Sequence, residues 1–105
     1  MHDLVKRHLP EIEALCRKHH VRRLDLFGSA AGDTFDPARS DVDFVVEFGP
    51  EAISAWAEEY QALKADLELL LKHSVDLIEA PAIRNSPLKH VVEATQVPVY
   101  ANPRP

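Results

Sequence analysis

Ser40-Asp41-Val42-Asp43-Phe44-Val45-Val46-Glu47-Phe48 decides how this chain is read. The stretch 41–48 alternates as a strand does. Val42, Phe44, Val46 and Phe48 fall on one face, and Asp41, Asp43, Val45 and Glu47 on the other, because successive side chains point to opposite sides of an extended backbone. One face is built for a core. The other sets the carboxylates of Asp41 and Asp43 on the same side, about 7 Å apart at the backbone. Two acids so placed repel each other unless a cation lies between them. Hard oxygen ligands with an unfilled shell suit Mg²⁺, which takes one or two carboxylates together with phosphate oxygens and water. By itself the Asp-x-Asp pattern reads better as a solvated strand face.

Upstream, Val-Arg-Arg-Leu-Asp-Leu-Phe (21–27) reads as a strand that stops at Gly28-Ser29. Residues 3–19 read as a helix with Leu9, Ile12 and Leu15 at helical intervals, broken near Pro10, which suits a first turn. Between Ala30 and Ala38 the sequence allows one helical turn and then a loop. Downstream, Gly49-Pro50 ends the acidic strand. A helix over 51–72 carries Ile53, Trp56, Tyr60, Leu63, Leu67 and Leu70 at steps of three and four, against Glu51, Glu58, Lys64, Glu68 and Lys72. That stripe, Trp56 and Tyr60 included, is expected to pack on a sheet. Ser-Val-Asp-Leu-Ile-Glu (74–79) reads as a strand, and 86–94 as a helix capped by Ser86 with Pro87 in its first turn. Val97, Val99 and Tyr100 form a last strand that Pro98 confines to an edge. The fold class is α+β (α/β), a mixed β-sheet with helices packed on one face.

Gly28-Ser29 alone is more often a turn than a phosphate site. Glycine permits close backbone approach, Ser29 offers a hydroxyl, and the following amides can form an anion-binding turn. Paired with Asp41 and Asp43, the reading sharpens. The end of one apolar strand and the start of the next place the Gly-Ser amides and the carboxylates at one edge. One half can then grip a triphosphate while the other holds the metal that bridges it. Asp76 lies in an otherwise apolar strand, where burying a lone carboxylate is unfavourable. It either faces solvent or joins the site, holding a second metal or acting as general base.

The 105 residues are expected to form one domain, 1–105. Twelve basic against seventeen acidic residues leave a net charge of -5, which argues against DNA or long RNA as the main partner. Cys16 is the only cysteine, so no internal disulfide is possible. No apolar run reaches the length of a membrane span, and the N-terminus lacks a signal-peptide core. The expectation is a cytoplasmic protein with no membrane association. The six histidines show no zinc-site spacing.

Leu26-Phe27-Gly28-Ser29 followed by Ser40-Asp41-Val42-Asp43-Phe44-Val45-Val46 resembles the nucleotidyltransferase superfamily that includes DNA polymerase beta and kanamycin nucleotidyltransferase. The short length resembles its minimal branch, the MNT proteins, among them the MntA-like antitoxins of HEPN/MNT toxin–antitoxin systems. Val75-Asp76-Leu77-Ile78 is similar to the third-carboxylate strand. Ile83 to Pro87 and Val92 to Tyr100 are similar to the family's usual end. The resemblance implies a nucleotidyltransferase fold and a two-Mg²⁺ transfer of AMP from ATP to a hydroxyl. Asp41, Asp43 and Asp76 would then be catalytic and metal-binding, with Gly28, Ser29 and Ser40 on the nucleotide. The implied acceptor is a tyrosine of a HEPN-type helical toxin, with this chain as antitoxin and protein adenylyltransferase. A non-catalytic antitoxin that neutralises by contact, or an enzyme on an aminoglycoside-type small molecule, are the alternatives. Ala31 stands where many relatives carry Arg, and the Ser29–Asp41 interval is one residue longer than the commonest form.

Overall fold

The computed structural model describes residues 1–52 and 55–102. Two helices come first, α1 (Asp3–Lys6) and α2 (Leu9–Lys18). The break between them follows from Pro10, which sits in the first turn of α2. Its ring collides with the carbonyl four residues back and it has no N–H to offer, so no single helix runs through it. The acidic segment and its upstream partner form β1 (Val21–Phe27) and β2 (Val42–Phe48). A 3₁₀ turn over Gly28–Ala31 and a loop join them. After α3 (Trp56–Leu71) come β3 (Val75–Glu79), α4 (Ala80–Ile83), α5 (Lys89–Thr95) and β4 (Val97–Ala101).

The sheet is mixed, in the order β3-β2-β1-β4. β1 runs antiparallel to β2 and β4, and β2 runs parallel to β3. The parallel pair needs a crossover, and α3 supplies it. β4 lies at an edge, as Pro98 requires. The alternation of β2 turns Val42, Phe44 and Val46 into a fully buried face. They pack with Leu24, Leu26, Ile12, Leu63 and Leu67 in the main core beneath α1, α2 and α3. The longer helices thus share one face. On the other, Phe27 and Val45 meet Ile83 and Val92 of the short α4 and α5 in a second, smaller cluster. A helix of four residues leaves too little periodicity to read, and α4 has no counterpart among the elements expected from the sequence.

Two expectations for α3 are revised. The helix starts at Trp56 rather than at 51, after a separate 3₁₀ turn over Pro50–Ala52. Ile53 lies outside the described residues. Trp56 is 51% exposed rather than core. It is in phase with Leu63, but seven residues earlier, which is about 10 Å further along the axis. There it borders an open cavity of about 390 Å³ together with Val46, Phe48 and Pro81 instead of a packed layer. The buried line of α3 is Leu63, Leu67 and Leu71, and Tyr60 is half-buried with its hydroxyl donating to the Leu77 carbonyl. Among the described residues no helix is long and apolar enough to cross a membrane.

Candidate active site

The carboxylates lie on the sheet face opposite the main core. Asp43 pairs with Asp76 across the parallel strands β2 and β3, which brings the two backbones to about 4.8 Å. Asp41, two residues earlier on β2's alternation, sits exposed at its mouth. Asp43 is half-buried, and its carboxyl is pushed up to about 6. Partial burial is the main cause, and the Asp76 and Asp41 charges add to it.

Gly28 closes the other side. Phe27 is the β1 partner of Asp43, so the turn that follows stands beside that carboxylate. Gly28 has φ +73°, and a Cβ there would sit 2.5 Å from Asp43 Oδ2. The left-handed backbone calls for glycine, and any other residue there would also have to push the Asp43 carboxylate aside. The Gly28 N–H donates to Thr95 Oγ1 at 2.9 Å, and that hydroxyl donates to the Val91 carbonyl at 2.6 Å. This amide is thus engaged by α5. Ala30 and Ala31 are buried, and the turn carries no basic residue. A guanidinium at 31 would have to leave that core.

Ser40 is held by its own loop. Its N–H donates to the Asp36 carbonyl at 2.7 Å, and its hydroxyl accepts from the Asp36 N–H at 3.2 Å. Its carbonyl accepts from His73 Nε2 at 2.6 Å. The Val42 N–H donates to the Ser74 carbonyl at 3.0 Å, so the segment leading into β3 grips the turn on both sides of Asp41. Sequence reasoning missed Thr95 and His73 as holders of the site. A threonine at a helix end and a histidine before a strand carry no periodic signal. Arg39 pairs with Asp36 at 4.0 Å on the surface, its side chain 88% exposed.

The donor set suits a hard divalent cation. Three carboxylates share one sheet face, and the Asp43 carboxyl is raised by burial first and then by the Asp76 and Asp41 charges, a repulsion a cation between them would relieve. Among the described residues no three acidic, histidine or cysteine side chains converge into a cage. Mg²⁺ needs none, because it is held by one or two carboxylates with substrate phosphates and water completing the shell. An adjoining cavity of about 260 Å³ continues along the same face, walled by Val45, Ile83 and Val92 and edged by Arg23, Asp25 and Glu47.

Residues 12–97 match the nucleotidyltransferase domain family. A protein assigned as a minimal nucleotidyltransferase superposes with a TM-score of 0.73 at 26% identity, over 93% of this chain and 96% of that one. A toxin–antitoxin crystal structure with AMP-PNP contains a chain matching at TM-score 0.64 and 22% identity, over 90% of this chain and 74% of that one. In the tri-AMPylated Shewanella oneidensis HEPN toxin complexed with MNT antitoxin, the values are 0.53 and 20%, over 92% and 72%. At those identities the last two speak for the fold. With most of its length inside one family and its architecture shared with a minimal member, the chain belongs to the nucleotidyltransferase domain family of enzymes.

Proposed function

We propose that residues 1–105 act as one nucleotidyltransferase domain that moves AMP from ATP to a hydroxyl, with a tyrosine of a HEPN-type helical toxin as acceptor. The observation that carries this reading is the pairing of Asp43 with Asp76 across β2 and β3, with Gly28 against the Asp43 carboxylate. A toxin–antitoxin relative holding AMP-PNP and another with an AMPylated HEPN toxin support the nucleotide and the partner. Asp41, Asp43 and Asp76 would hold Mg²⁺, which would supply the positive charge that offsets theirs and that triphosphate oxygens need. Ser29 and the turn after it face the phosphates. Ser40, tied into its loop, fixes where Asp41 stands. Asp76, more open than Asp43, takes the proton of the acceptor hydroxyl as its oxygen bonds to the α-phosphorus and pyrophosphate leaves. The cavity beside Val45 offers apolar walls to a flat ring, as an aromatic acceptor needs. The single thiol, buried and with its ionisation pushed up to about 12 by that burial, suits the reducing cytoplasm.

The test is mass spectrometry of the helical partner after incubation with this chain, Mg²⁺ and ATP. The expected result is a partner heavier by one or more AMP units, with no gain from Asp41→Asn or Asp43→Asn. A gain that survives both substitutions overturns the site. The turn at Ala31, which carries no cation, favours a second reading in which the chain neutralises its partner by contact alone. Neutralisation that persists without Asp41, Asp43 and Asp76, and with no mass gain in wild type, would establish that reading instead.

A further inference from the structure

On the opposite face of the sheet from the carboxylates, α1, the end of α3 and the loop at Pro37 enclose a cleft of about 480 Å³. Arg7, Lys72, His2, His8 and His73 line it, with Asp3 as its one acid. In a chain of net charge -5 this is a local reversal of sign. Arg7 and Lys72 are exposed and make no ion pair among the described residues, and the cleft brings these two cations together. The wall is built rather than loose. The Phe35 ring packs between His2 and His73, at centroid distances of 4.7 and 5.3 Å. His2 Nδ1 accepts from the Leu4 N–H at 3.0 Å, so its Nε2 carries the ring's proton as a donor. Lys72 is held at the end of α3 in a left-handed cap, φ 53°.

We propose that this cleft binds a small phosphate-bearing anion, of the size of pyrophosphate or a nucleotide's polyphosphate, at a site separate from the carboxylates. Two unpaired cations and the His2 Nε2–H supply what a phosphate group requires, while His73 Nε2 is held by the Ser40 carbonyl and His8 Nδ1 by Glu11. The overall negative charge favours a compact anion over a long polyanion, which would meet repulsion beyond the cleft. The cleft shares His73 with the Ser40 turn, so its occupant lies directly behind the loop that presents Asp41.

The experiment is titration of the full chain with inorganic pyrophosphate in EDTA, followed by backbone amide NMR. Without divalent metal the three carboxylates repel the anion, so this readout is independent of any transferase activity and of the function proposed above. Saturable shifts at Arg7, His8, Lys72 and His73 are expected. The exposed double variant Arg7→Gln/Lys72→Gln should weaken binding by about tenfold or more, while Asp43→Asn leaves it intact. Shifts confined to Gly28–Ala31, no saturation by about 10 mM, or full affinity in the double variant would overturn the site. A ten-nucleotide single-stranded RNA that displaces pyrophosphate at lower concentration would overturn the small-anion assignment in favour of a nucleic-acid backbone.

Discussion

Gly28 and Asp43 stand in direct contact across the β1–β2 ladder. The glycine's missing Cβ leaves room for Asp43 Oδ2, which such an atom would approach to 2.5 Å. The Gly28 turn and the Asp43 carboxylate are thus one packed unit, joined across the β1–β2 ladder at Phe27 and Asp43.

Gly28→Ala is expected to disable the site more than the fold. The φ of +73° is strained for alanine, at about 1 kcal/mol, and the new methyl displaces the Asp43 carboxylate. Transfer activity should fall at least about tenfold, as one misplaced group allows, with a small drop in urea midpoint. Wild-type turnover in the variant would remove Gly28 from the site.

Asp43→Asn should stabilise the protein while abolishing transfer. The folded carboxyl sits near 6 against an ordinary 3.8. The unfolded chain therefore ionises first as pH rises, and stability falls between about pH 4 and 6 and stays reduced above. The side chain is half-exposed, so solvent screening leaves about 1 kcal/mol of that penalty. Denaturant midpoints should show the variant ahead at pH 7.5 and level with wild type below pH 4. Added Mg²⁺ should raise the melting temperature of wild type and not of the variant. Equal midpoints at both pH values would mean Asp43 is not under that strain.

Thr95→Val tests the hold of α5 on the turn. It removes the acceptor for the Gly28 N–H, at a loss of about 1–2 kcal/mol. Thr95→Ser keeps the hydroxyl and should restore both stability and transfer. A valine variant with both unchanged would show that the Gly28 amide has another partner in solution.

Away from the site, His19 is buried and its Nε2 lies 2.7 Å from Asp66 Oδ2, which ties α2 to α3. The hydrogen bond from His19 holds the Asp66 carboxyl below its ordinary value, with Lys18 adding to it. That contribution is present above about pH 4 and is lost as pH falls through the lowered folded value. Asp66→Asn should cost about 1 kcal/mol at pH 7, and the gap to wild type should close in acid. A gap that persists at pH 2 would assign the loss to packing.

Much of this architecture is legible without coordinates, and the reason is local. Val21–Phe27, Val42–Phe48 and Val75–Glu79 are strands within a residue of their reading, because alternation and bounding turns act over a few neighbours. Pro10 and Pro98 mark a helix start and a sheet edge through the N–H each lacks. Trp56 was misread because periodicity gives the angle around a helix and not where along it the sheet stops covering it. α4 was too short for any period to declare itself.

Local strand phase already places Asp41 and Asp43 on one face and ends the preceding strand at Gly28-Ser29. Tertiary packing alone sets Asp76 in register beside Asp43, gives the Gly28 amide to Thr95 and fastens the Ser40 turn through His73. Strand phase is a property of neighbours two residues apart. Register between β2 and β3, and the reach of a side chain 33 or 67 residues away, depend on how a whole helix crosses over and packs, which no short window of sequence contains.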